Sequence, residues 1–169
     1  MIVLASAFNV AIGAAAFFGG AAIAAHQKPD PADLLMAGAG WVDVSRQRLP
    51  AAELGLGYRS RARMWAFQPA AGIALTTKDA VYGWAGIAYD LRLGRVVLTP
   101  SFGPALYRQG RGVDLGYPLE FRSQFEAGYR IGDRSRISLA FSHMSNAGLG
   151  RTNTGVETLT LGYAFALGR

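Results

Sequence analysis

Residues 119–130 read Leu-Glu-Phe-Arg-Ser-Gln-Phe-Glu-Ala-Gly-Tyr-Arg, and they alternate strictly. One parity is Leu119, Phe121, Ser123, Phe125, Ala127 and Tyr129; the other is Glu120, Arg122, Gln124, Glu126, Gly128 and Arg130. Side chains of a β-strand point to opposite faces at successive residues, so this is a strand with one apolar and one charged face. A soluble sandwich would turn the apolar face to its core, whereas a membrane barrel turns it to lipid and encloses the charges in a polar lumen. A second stretch favours the barrel. From 156 to 167, Leu159, Leu161, Tyr163, Phe165 and Leu167 oppose Thr158, Thr160, Gly162, Ala164 and Ala166. Such small residues suit the narrow interior of a barrel of few strands. Leu54, Leu56 and Tyr58 against Glu53, Gly55, Gly57 and Arg59 repeat the pattern.

Working outward from these stretches, turn signals separate eight strands, at 35–44, 51–59, 64–75, 80–89, 95–107, 118–130, 134–145 and 155–167. Alanine and glycine fall on both parities of the third and fourth, so their faces are less distinct. No later stretch approaches 18 apolar residues, and no helical segment of useful length is apparent after residue 28. The expected fold is an all-β, eight-stranded antiparallel transmembrane β-barrel of the outer membrane. An even strand number returns the chain to the side where it began. The connections 108–116 and 146–154 then fall outside, and both exceed the inner turn 131–133, the usual asymmetry of such barrels.

Residues 1–25 carry no charged side chain and end in small residues, with Ala22-Ile23-Ala24 matching the A-x-A cleavage pattern. The expectation is a signal peptide over 1–24 and a single barrel domain over 25–169. No basic residue follows Met1, so an uncleaved anchor is the alternative. The chain ends Ala166-Leu167-Gly168-Arg169, although such barrels usually close on an aromatic residue; Phe165 stands four positions earlier.

Composition removes other classes. With 169 residues the chain is one domain. It has no cysteine and only His26 and His143 as histidines, so thiol catalysis, disulfides and multi-histidine metal sites are not expected. Seventeen Lys and Arg, fifteen of them arginine, oppose eleven acidic residues. Arginine suits phosphate, but no nucleic-acid-binding signature accompanies it. No calcium loop is evident. The pairing of Glu120, Arg122, Glu126 and Arg130 points to a plugged lumen and not to a pore. Trp41, Trp65 and Trp84 are expected as interface anchors or lipid-facing bulk.

The seventh strand carries the chemistry. Its apolar parity, Ile137, Leu139 and Phe141, continues into His143 and Ser145, which therefore face lipid near the outer rim. On the eighth strand Glu157 shares parity with Leu159 and Leu161. Polar groups on a lipid face cost free energy. Serine, histidine and an acid are also the parts of a nucleophilic triad. Ser145 and His143 stand ~7 Å apart on one face, and Glu157 meets His143 if 146–154 closes a hairpin. Spacing alone leaves two readings: a triad, or a polar cluster capping a strand in a barrel with an adhesion or envelope-structural role.

Phe141-Ser142-His143-Met144-Ser145-Asn146-Ala147-Gly148, with Glu157 downstream and Glu120-Phe121-Arg122-Ser123 and Gly128-Tyr129-Arg130 upstream, resembles the lipid A 3-O-deacylases, the PagL-type enzymes of the outer membrane. The resemblance is strongest over 117–167. It implies Ser145 as nucleophile, His143 as base and Glu157 as orienting acid. The implied reaction is hydrolysis of the ester-linked 3-hydroxyacyl chain at position 3 of lipid A in outer-leaflet lipopolysaccharide, without cofactor or metal. It also implies outer-membrane lipid as surroundings and a homodimer as an available state. The oxyanion candidates are Asn146, Gly148 and Asn153. Candidates for docking substrate phosphate are Arg151, Arg108 and Arg111, with Arg46, Arg48 and Lys78 in the other outside connections.

Overall fold

The computed structural model describes residues 16–28, 32–132 and 135–167. Its strands are β1 (Asp33–Val42), β2 (Ala51–Arg59), β3 (Gln68–Thr76), β4 (Val81–Ala88), β5 (Leu91–Leu93), β6 (Val96–Arg108), β7 (Leu119–Ile131), β8 (Ser135–Ser145) and β9 (Val156–Leu167). All neighbours are antiparallel, in the order β4-β3-β2-β1-β9-β8-β7-β6-β5, and pairing of β4 with β6 closes the sheet on itself. Closure leaves no edge, as a lipid environment demands.

Nine segments make eight staves. Val81 pairs Arg108 and Ala88 pairs Ser101 in the register that also joins Leu91 to Leu98, so β5 continues β4. The ladder breaks at Tyr89–Asp90, opposite Pro100, which has no N–H to donate. The fourth stave therefore extends past the expected 80–89. The third is shorter than expected: Met64 and Phe67 exchange backbone hydrogen bonds across a tight turn with Trp65 at φ +56°, and β3 begins only at Gln68. The reading of 134–145 begins on Arg134, and that of the turn 131–133 ends on Asp133; both residues lie outside the described ones, as do the start of the leader and Gly168-Arg169.

Burial inverts the pattern of a soluble protein. Leu54, Leu56, Ile73, Phe125, Leu139, Phe141, Leu159 and Leu161 are exposed on the wall, while Glu53, Arg59, Thr99, Glu120, Arg122, Glu126, Arg136 and Thr158 are buried. A belt of exposed apolar side chains around a charged interior is stable only where the outside is lipid. Arg59 reaches Asp90 at 2.8 Å and Glu126 at 3.3 Å, Arg136 holds the other Asp90 oxygen at 2.8 Å, and Thr99 donates to Asp90 at 2.6 Å. Charges withdrawn from water are tolerated when paired in this way, and the cluster fills the lumen by tying β2, β6, β7 and β8 together. A cavity of about 90 Å³ remains, lined by Glu53, Tyr82, Trp84, Arg122 and Gln124 among others. Trp84 thus faces the lumen, contrary to its sequence-based placement on the wall. Its ring lies 4.9 Å from the Arg122 guanidinium, and its register partner Gly72 leaves the room, since a Cβ there would come within 2.6 Å of the indole nitrogen.

The segment read as a leader is helical over 16–25. It lies beside the barrel end that holds the strand termini. Phe17 stacks on Phe67 at 5.8 Å, and Arg63 donates to the carbonyls of Ala25 and Gln27. The opposite end carries the connections 43–50, 77–80, 109–118 and 146–155. There Val113 and Leu115 fold inward onto Tyr82, Met144 and Val156 and cap the lumen with an apolar lid.

Candidate active site

Alternation along β8 sorts its last residues onto two faces. Ser142, Met144 and Asn146 turn inward and are buried, while His143 and Ser145 turn outward and stay partly exposed. Met144 packs under the lid beside Leu115, and this fixes the strand from within. His143 pairs directly with Glu157 of β9. The His143 Nδ1–H donates to Glu157 Oε1 at 3.0 Å, with side chains 42% and 14% exposed. A carboxylate on Nδ1 selects the tautomer that leaves Nε2 free to accept a proton. The backbone N–H of Val44 donates to the Glu157 carbonyl at 3.2 Å, so the connection 43–50 extends the sheet behind the acid. Asp43 shapes that connection by accepting from the backbone N–H groups of Arg48 and Leu49.

Parity continues one step beyond the strand and places Asn146 inside, fully buried, on the face opposite Ser145. Its Nδ2 donates to the carbonyls of Leu115 at 2.6 Å and Thr152 at 2.7 Å, and its Oδ1 accepts from Gly148 N–H at 2.9 Å. Two of the three oxyanion candidates, the Asn146 amide and the Gly148 N–H, are thus spent on holding the loop to its neighbour. Asn153 is exposed. Its Oδ1 accepts from Asn146 N–H at 3.2 Å, which leaves its own NH₂ without a partner among the described residues.

Sequence reasoning passed over Gly155. It takes φ +65°, and a Cβ there would stand 2.9 Å from His143 Cε1 and 3.5 Å from Nε2. Continuing the β8–β9 register puts Gly155 opposite Ser145. The missing side chain leaves the room that the imidazole ring occupies. The signal in the sequence was a glycine at the position on the β9 side that faces the nucleophile candidate.

A family profile described as Lipid A 3-O-deacylase (PagL) spans residues 24–166. The chain belongs to that family. Among solved structures, it resembles the crystal structure of the outer membrane enzyme PagL with 20% identity and TM-score 0.61, over 79% of this chain and 99% of that one. A de novo designed transmembrane β-barrel matches with 11% identity and TM-score 0.60, over 82% and 97%. Neisserial surface protein A matches with 13% identity and TM-score 0.54, over 78% and 94%. At these identities the three likenesses establish the shared barrel. No curated protein matches by sequence.

The cations of this PagL-family barrel divide by what they already hold. Arg46 donates to the Thr154 carbonyl at 2.6 Å, and Arg111 pairs with Asp79 at 2.7 Å. Among the described residues, the Arg151 and Arg108 guanidinium groups have no such partner. Arg151 lies in the connection that carries Asn153, and Arg108 ends β6 at the same rim.

Proposed function

We propose that this chain is a serine esterase that removes the 3-hydroxyacyl chain from position 3 of lipid A, working from the wall of an outer-membrane barrel at the level of the outer leaflet. The observation that carries the reading is the His143–Glu157 pair on the lipid-facing side of β8 and β9, with Ser145 two residues along the same face. Family membership supports the substrate.

In this reading Ser145 Oγ attacks the ester carbonyl while His143 Nε2 takes its proton. Glu157 holds the imidazole by Nδ1 and stabilises its charged form. Collapse of the tetrahedral intermediate expels the sugar 3-hydroxyl, protonated by His143, and leaves the acyl group on Ser145. Water, activated by the same histidine, then releases the fatty acid. The substrate never leaves the bilayer, which accounts for polar catalytic groups facing lipid. A long-chain alkylphosphonate ester tests the mechanism, because it captures an activated serine irreversibly. Peptide mapping should place the phosphonate on Ser145 in the parent and find none in His143→Ala. Labelling elsewhere, or labelling indifferent to His143, would overturn the assignment.

The oxyanion role falls to Asn153, the one of the three candidates whose donor hydrogens the loop leaves uncommitted. Donors preorganised at about 2.7–3.1 Å from the developing charge are worth roughly 10²–10³ in rate. Asn153→Ala should lower kcat about 10²-fold with the barrel folded. Unchanged turnover would remove Asn153 from the mechanism.

Arg151 and Arg108 are assigned to the headgroup phosphates. A guanidinium grips phosphate bidentately, and docking the headgroup orients the ester against the wall. Arg151→Ala should slow hydrolysis of bisphosphorylated lipid A and have far less effect on a dephosphorylated analogue. Equal losses on both would make Arg151 a support of the loop. The segment 1–24 is assigned as a leader removed on export; the A-x-A motif at 22–24 closes it near the end of the helix at 16–25.

A further inference from the structure

The outward face of β7 is an apolar series broken once, by Ser123. A hydroxyl turned to lipid gains nothing for folding, and this one stands at a particular place. Ser123 is the direct register partner of His143, on the side away from Glu157. Partner Cβ atoms lie about 5 Å apart. Ser145 pairs with Phe121, so Ser123 is its diagonal neighbour at ~7–8 Å. On its other side Ser123 pairs with Phe102, whose ring stacks on Phe121 with centroids 6.2 Å apart and planes at 4°.

Ser123, His143 and Phe102 line a groove on the outside of the barrel, about 730 Å³ with the leader attached. It begins at His143 and runs over Phe125 and Phe102 toward Ile87; Phe17 and Phe18 close that end only while the leader is attached. Of the outward-facing side chains along it, Ser123 and His143 are the polar ones, and both stand at its head. A chain whose carbonyl meets Ser145 enters the groove beside Ser123.

We propose that Ser123 is a specificity-determining residue that binds a hydroxyl on the third carbon of the acyl chain being cut, making the barrel selective for 3-hydroxyacyl esters. The proposal rests on the esterase reading above. A hydroxyl on the third carbon is within reach of Ser123. An approach of about 3 Å from Ser145 Oγ to the carbonyl carbon, the bonds from there to the hydroxyl oxygen, and a hydrogen bond of about 2.8 Å together cover the diagonal from Ser145 to Ser123. An unsubstituted chain sets methylene against the serine hydroxyl and leaves it unpaired, and one neutral hydrogen bond of this kind discriminates by about tenfold.

The test uses the full barrel in detergent micelles and two lipid A esters with chains of equal length, one carrying the 3-hydroxyl and one without it. The parent should show kcat/KM about tenfold higher on the hydroxylated ester. Ser123→Ala should lose that ratio, falling about tenfold further on the hydroxylated ester than on the plain one, and Ser123→Thr should restore it. A parent without preference, or equal losses on both esters in Ser123→Ala, would overturn the proposal and leave Ser123 as a wall residue beside His143. A folded parent that cuts neither ester would instead overturn the esterase reading itself.

Discussion

Ser145→Ala should abolish ester hydrolysis, by at least about 10³-fold, in a barrel that still folds. Removing the nucleophile of a triad costs as much as removing the whole triad, because base and acid have nothing left to activate. The fold has no stake in this hydroxyl. The strand is anchored from inside by Met144 under its apolar lid and by Asn146 bonded to Leu115 and Thr152, while Ser145 lies on the opposite face. Heat-modifiable migration of the variant should match that of the parent, and acid release from lipid A should fall to background. A structural barrel in which Ser145 merely caps a strand would show no such separation, and hydrolysis persisting in Ser145→Ala would assign the chemistry elsewhere.

Gly155→Ala should lower kcat by about 10²-fold with little change in KM. Two effects act on it. Alanine at φ +65° is strained by about 1 kcal/mol, and its Cβ falls 2.9 Å from His143 Cε1, closer than carbon atoms approach. Gly155 directly precedes β9, whose pairing holds the backbone, so the imidazole must yield and shift from its place beside Glu157. Displacement of this order in a catalytic group costs about 10² in rate. Gly132→Ala separates the two effects. It carries the same strain at φ +62° with open space around it and lies at the other end of the barrel, so its stability loss should match while hydrolysis stays at the parental rate. Equal rates for Gly155→Ala and the parent would show that the imidazole needs no such space.

Alternation made the staves with large apolar faces legible, β2, β7, β8 and β9 above all, because Leu, Phe and Tyr on one parity and charge on the other admit one orientation. The β3–β4 region was harder to read. Alanine and glycine occupy both parities there, so Trp84 reads as a wall residue until its pairing with Gly72 and its contact with Arg122 turn it inward. The break at Tyr89–Asp90 depends on Pro100 in the facing strand, a pairing that local pattern does not reveal. For the site, the parity that put His143 and Ser145 outside also put Asn146 inside. That step was available from the sequence, and it turns the Asn146 amide toward the carbonyls of Leu115 and Thr152. The partners of Arg46 and Arg111 are contacts between connections remote in sequence, which neither periodicity nor composition encodes.

In the proposed reaction, Ser145 and the outward pair His143–Glu157 cut an acyl ester of lipid A within the membrane. Mass spectrometry of lipid A from Gram-negative cells tests it most directly, comparing cells that express this chain with cells that express Ser145→Ala at equal barrel levels. A lipid A species lighter by one hydroxyacyl group, bearing a free 3-hydroxyl, should appear in the first culture and be absent from the second. Identical spectra from the two cultures, with the parent barrel folded in the outer membrane, would contradict it.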